Sequence, residues 1–159
     1  MVVPDDATEA RLAVKAVADY PGPVYLLLNR NEVPVRFDES HPFQIGKGIT
    51  LRDGGDVTLI CTGMMVSRTL EAAEALRGMG IDARVLELHT IKPLDSELVI
   101  QAARETGCVV TAEEHSVIGG LGGAVAETLA EEFPIPVVRV GIRDRFAETG
   151  PYFDLLDRY

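Results

Sequence analysis

The stretch Thr111-Ala-Glu-Glu-His-Ser-Val-Ile-Gly-Gly-Leu-Gly-Gly-Ala-Val-Ala-Glu127 holds the densest set of chemically capable residues in the chain. A strand-like run, Cys108 to Ala112, ends in Glu113, Glu114 and His115. Gly119, Gly120, Gly122 and Gly123 follow, and then a helical pattern begins. Such a junction puts polar side chains and bare backbone at the carboxyl end of a strand, where open α/β sheets gather ligand and partner sites. Glu113, Glu114 and His115 have the types needed for acid–base work. Neighbouring side chains on an extended segment point to opposite sides, so the two glutamates do not form a pair on one face. A structural or interface role is the alternative. Backbone amides at a helix N-terminus can hold an anion, but this glycine spacing is neither the dinucleotide fingerprint nor a phosphate-binding loop. Close packing or a tight turn is the competing explanation for the glycines. Arg30 follows directly on an apolar run, and its planar fork suits phosphate or carboxylate. Against that stands a solvent arginine paired with Glu32 or with an acid of the following loop. His41 and His89 stand alone. There is no Gly-x-Ser-x-Gly nucleophile elbow and no metal-ligand spacing.

The elements that must position these groups are legible from periodicity and punctuation. Asp6-Ala-Thr-Glu9 reads as a capping box. Ala10, Ala13, Val14 and Val17 then share a helix face up to Tyr20-Pro21-Gly22. Pro23 to Asn29 is nearly all apolar, as expected of a central strand covered on both faces. Its neighbours are not supplied by this pattern, which points to sequence or a chain beyond the one in hand. Arg30 to Gln44 reads as a linker, which divides the chain at residues 1–44 and 45–159. Lys47 to Leu51 is a short strand, expected to turn back antiparallel onto Val57–Cys61 through Asp53-Gly54-Gly55-Asp56. From Val57 the order is β-α-β-α-β-α-β. The strands are Val57–Cys61, Ala83–Leu88, Cys108–Ala112 and Val137–Val140, and a last helix begins near Asp154. Helical crossovers imply mainly parallel strands, hence a three-layer α/β/α fold with a mixed sheet.

Composition narrows the function classes. The 159 residues are 47% hydrophobic, enough for a packed core, and the net charge is −10. With no basic stripe, nucleic acid and anionic membranes are not expected partners. The start of the chain has no signal-peptide pattern, and no apolar run approaches spanning length. Cys61 and Cys108 lie in apolar strand-like runs and read as two buried thiols, which suits a cytoplasmic setting.

Several segments taken together resemble the transketolase family, in its carboxyl-terminal section. They are Gly22-Pro-Val-Tyr-Leu-Leu-Leu-Asn-Arg30, Ile45-Gly-Lys-Gly48, Gly55-Asp-Val-Thr-Leu-Ile-Cys-Thr-Gly63, Thr90-Ile-Lys-Pro-Leu-Asp95, Thr106-Gly107, Glu113-Glu-His115, Gly119-Gly-Leu-Gly122 and Val140-Gly-Ile142. The Glu-Glu-His version is most similar to split transketolases, made as two half-size chains. Deoxyxylulose-phosphate synthases and 2-oxoacid dehydrogenase β subunits share the layout. The resemblance implies that residues 1–44 are the tail of a pyrimidine-binding domain. Residues 45–159 would then be a carboxyl-terminal domain with a five-stranded mixed sheet. It implies that Arg30 contacts a substrate phosphate. It also implies ketol transfer between sugar phosphates, with thiamine diphosphate and a divalent metal in the complete enzyme. The family's Gly-Asp-Gly metal–diphosphate motif and its cofactor-activating glutamate are absent here, so no cofactor is expected on this chain and no activity from it alone. The expected partner is an amino-terminal transketolase section, in a homodimer or heterotetramer. A non-catalytic binding or regulatory module is the remaining alternative.

Overall fold

The computed structural model describes residues 1–159. The first helix, α1 (Ala7–Ala18), starts where the sequence places it. Asp6 has extended backbone, and its Oδ1 accepts the Glu9 amide at 2.8 Å, so one of the helix's unpaired donors is satisfied. The reciprocal bond of the expected capping box lands one residue earlier, because Glu9 Oε2 accepts the amide of Asp5 at 2.7 Å. The helix buries Thr8, Glu9 and Ala13 and leaves Val14 on its outer side.

The segment Pro23–Asn29 forms no regular strand, and, as expected, the chain supplies no sheet to cover it. It is extended, but it pairs only with Val2, through Val2 N to Tyr25 O and Leu27 N to Val2 O, both 2.9 Å. With no second neighbour, Tyr25 is 62% and Leu28 52% exposed. An apolar run of this kind specifies a wish for cover; it does not supply the covering surface.

Residues beyond the linker form one five-stranded sheet. Its strands are β1 (Ile49–Arg52), β2 (Val57–Cys61), β3 (Ala83–Glu87), β4 (Val109–Ser116) and β5 (Val137–Ile142), in the order β1-β3-β2-β4-β5. Four strands run parallel, and β1 is antiparallel. The mixed, mostly parallel sheet is as expected, but the partner of β1 is not. It pairs with β3, with Ile49 opposite Glu87, and not with β2. The Asp53–Asp56 turn is not a hairpin. It crosses the amino end of β3, where a Cβ on Gly54 would stand 2.4 Å from the Ala83 carbonyl carbon, and Asp56 Oδ2 accepts the Asp82 amide. Strand β4 is also longer than expected, because it carries Glu113, Glu114 and His115 within it.

Helices α2 (Met65–Gly78), α3 (Ser96–Thr106), α4 (Leu121–Glu132) and α5 (Tyr152–Arg158) complete the fold. Alternation along β2 sends Ile60 to one face and Leu59 and Cys61 to the other. Ile60 packs with Leu86, Leu88, Val99, Leu121, Val125 and Leu129 under α3 and α4. Leu59 and Cys61 pack with Val66, Ala73 and Val85 under α2. Each fully buried leucine or isoleucine contributes about 1.5–3 kcal/mol, so both sheet faces are held shut. Asp95 Oδ1 caps α3 at Leu98, while its Oδ2 accepts the Gly48 amide and fixes the approach to β1. No helix is long and apolar enough to cross a membrane.

Candidate functional site

An open cleft of ≈ 480 Å³ lies at the carboxyl ends of β2 and β4. Arg30, Glu113, Glu114, His115, Gly119 and Gly120 all border it, so the fold gathers most of the residues singled out in the sequence. Gly122 and Gly123 lie deeper, in the first turn of α4.

Glu113 sets the geometry of this corner. It is only 3% exposed. Its Oε2 accepts the Leu121 amide at 2.7 Å and its Oε1 the Gly122 amide at 2.8 Å. A carboxylate here faces the positive end of the helix dipole and satisfies two amides that have no partner within the helix. The glycines are explained by the same carboxylate. A Cβ on Gly120 would lie 1.9 Å from Glu113 Oε2, and one on Gly122 would lie 2.7 Å from Thr111 Oγ1. Gly119 adopts φ +77°, a left-handed conformation that side chains disfavour. The helix N-terminus is therefore an anion site whose anion is the chain's own.

Backbone amides at a helix start can hold an anion, but here the Glu113 carboxylate takes them and repels a second anion. No group of three or more His, Cys, Asp or Glu residues is placed to hold a metal ion. The α4 helix start, filled by Glu113, does not fit a diphosphate.

The remaining groups face the cleft with different freedom. Glu114 is exposed on the opposite side of the strand from Glu113, as alternation requires. His115 Nδ1 lies 2.9 Å from the carbonyl of Ser116. A carbonyl only accepts, so Nδ1 carries the hydrogen and Nε2 is left open. Tyr152, at the start of α5, enters the same cleft and was not anticipated as a lining residue. Its hydroxyl approaches Met64 Sδ at 3.1 Å. Burial first, and then the Glu114 carboxylate, push its phenol well above the usual range. The only sequence signal for Tyr152 was a short terminal helix, and that carries no chemistry. Arg30 is exposed at the lip. The nearby ion pairs use Arg11, Arg36 and His41 instead, so neither Glu32 nor a linker acid occupies the Arg30 guanidinium.

Comparison with known proteins gives this layout a family. The model of the transketolase C-terminal domain matches residues 46–159. The chain belongs to the transketolase C-terminal domain family. It is similar to the 6-deoxy-6-sulfo-D-fructose transketolase subunit of Clostridium sp. (strain MSTE9), at 51% identity over 92% of this chain and 46% of that protein. It is 44% identical to an apulose-4-phosphate transketolase subunit of Phocaeicola vulgatus, over 100% of this chain and 51% of that one. A solved structure described as a split gene transketolase, inactive β4 tetramer, superposes with a TM-score of 0.96 at 51% identity, covering 99% of this chain and 52% of its own. The chain thus spans about half the length of these relatives.

Proposed function

We propose that the chain is the carboxyl-terminal portion of a thiamine-diphosphate-dependent, cytoplasmic transketolase that moves a ketol unit between sugar phosphates. The cofactor, its divalent metal and the bond-making chemistry belong to an amino-terminal section, with which this chain forms a homodimeric or heterotetrameric enzyme. By itself it is inactive. The observation that carries this reading is the match to transketolase subunits in a chain whose one glycine-rich helix start is closed by Glu113. The uncovered face of Tyr25, Leu27 and Leu28 supports it, since those side chains call for another polypeptide. Two free thiols, Cys61 and Cys108, suit a reducing compartment.

Arg30 is the group this chain lends to the substrate. One relative takes its name from a sulfonated sugar and another from a phosphorylated one. Both substrates end in a tetrahedral anion that a guanidinium grips with two parallel bonds. The test is Arg30→Ala in the assembled enzyme. A charged hydrogen bond is worth about 1.5–3 kcal/mol, so kcat/KM for the anionic sugar falls roughly 10- to 100-fold. The loss is carried by KM, and uncharged analogues are nearly unaffected. Equal losses on both substrate types remove the anion role.

A further inference from the structure

Behind the cleft, α1 and the linker lie on the carboxyl end of β3, and three carboxyl groups meet in that seam. Glu9 and Glu87 are 0% exposed and Asp5 is 3% exposed. Asp5 Oδ2 accepts from Arg36 Nε at 3.0 Å, and its other oxygen has no donor. Glu9 Oε2 accepts the Asp5 amide, while Oε1 stands 3.5 Å from His41 Nε2 without a hydrogen bond. Glu87 has no donor for either oxygen. Its carboxyl instead faces that of Glu9 within hydrogen-bonding reach. Two carboxylates have only acceptors to offer each other, and leaving an ion buried without a partner costs several kcal/mol. A carboxylic acid and a carboxylate, by contrast, make a strong bond.

We propose that Glu9 and Glu87 hold a single proton between them, and that this shared proton is a catch fastening α1 and the linker to the sheet domain. One partner comes from each side of the seam, so losing the proton sets two like charges against each other where the halves join. The linker is otherwise secured by Arg36 and Phe37 bonding to Asp5 and Asp6, by the Arg11–Glu39 ion pair, and by aromatic contacts, Phe37 on His41 at 3.9 Å and Phe43 on His89 at 4.2 Å. Residue 30 lies between α1 and those contacts, so opening the catch loosens the segment that bears Arg30.

The charged surroundings fix the sign. Burial raises Glu9 and Glu87 above the ordinary carboxyl range, and at Glu87 the neighbouring charge of Glu9 adds to it. Asp5 rises to about 6, chiefly through burial and against the pull of Arg36. His89 falls to about 4 through burial and is neutral near pH 7. From β2, the Cys61 thiol is pushed up by burial and carries no charge. Asp6 is held by the amides of Glu9, Arg36 and Phe37. Arg36 and His41 are the cations facing the seam. A raised acid binds more protons folded than unfolded, so the fastening is complete at low pH and is lost as pH climbs through the folded value.

Infrared titration of the intact chain tests this directly, together with hydrogen exchange of the α1 amides. Near pH 7, where Asp5 has largely lost its proton, the wild type should still show the carbonyl stretch of a protonated carboxylic acid, and this band should disappear as the solution is made alkaline. In the same range, α1 protection, corrected for intrinsic exchange, should fall about tenfold per pH unit for one proton. Glu87→Gln supplies a permanent amide donor to Glu9, so it should remove the band and flatten the decline. Glu9→Gln does the same from the other side and serves if the first variant fails to fold. A wild type without the band, or variants that both keep it or keep the wild-type decline, overturns the proposal. If neither variant folds, the titrating wild-type band decides alone.

Discussion

Removing the Glu113 carboxylate should be among the most damaging single changes available in the sheet domain. It makes two short bonds, to the amides of Leu121 and Gly122, from a position 3% exposed. A hydrogen bond to a charged group contributes about 1.5–3 kcal/mol, and a favourable charge at a helix N-terminus adds about 0.3–1 kcal/mol. The two bonds share one carboxylate and do not add in full. Glu113→Ala should therefore cost about 3–5 kcal/mol, with two amides left dry. Glu113→Gln keeps one acceptor but turns an NH₂ group toward the second amide, so its cost should be about half as large. Urea unfolding of both variants, read by circular dichroism, measures the difference. The reasoning is refuted if Glu113→Ala costs less than about 1 kcal/mol, or if the glutamine variant is as damaged as the alanine one. The second result would mean that the charge carries the whole contribution, and that the retained acceptor and side-chain volume carry none.

Two other substitutions test the same physics elsewhere. Gly120→Ala should be severely destabilising, since its Cβ falls 1.9 Å from Glu113 Oε2, whereas Gly123→Ala meets nothing within 4 Å and should gain about 0.5–1 kcal/mol as an interior helix glycine replaced; thermal melts of the pair should move in opposite directions. Cys61 is 0% exposed, and burial raises its thiol far above the usual range, so iodoacetamide should label the half-buried Cys108 in the native chain and leave Cys61 untouched until denaturant is added, with mass spectrometry giving the site.

The sheet domain was readable because its signals are local. Gly107 sits in a left-handed conformation after α3, and Asp95 caps the same helix, both marked by residue type alone. The alternation within β2 is equally plain. The partner of β1 could not be read, because a glycine turn announces a change of direction but not which strand receives the chain. The two exposed-looking features that proved central, Glu113 under α4 and the Glu9–Glu87 contact, were hidden for a different reason. Charged residues read one at a time look solvated, and only the fold shows Glu87 at the end of β3 meeting a helix from the first few residues of the chain. Alternation did separate Glu113 from Glu114. It could not say that the inward one was anchoring a helix.

The ribbon from Pro23 to Asn29 has the makings of a template. Its backbone is satisfied mainly through Val2, and Tyr25, Leu27 and Leu28 stand outward beside it. A strand edge in that condition recruits whichever strand it meets first, and it does not discriminate well between kin and stranger. The timing of synthesis then becomes part of the chemistry. In the proposed two-part enzyme, synthesis alongside the amino-terminal section would cap the ribbon at once, and synthesis in excess would leave it open to copies of itself.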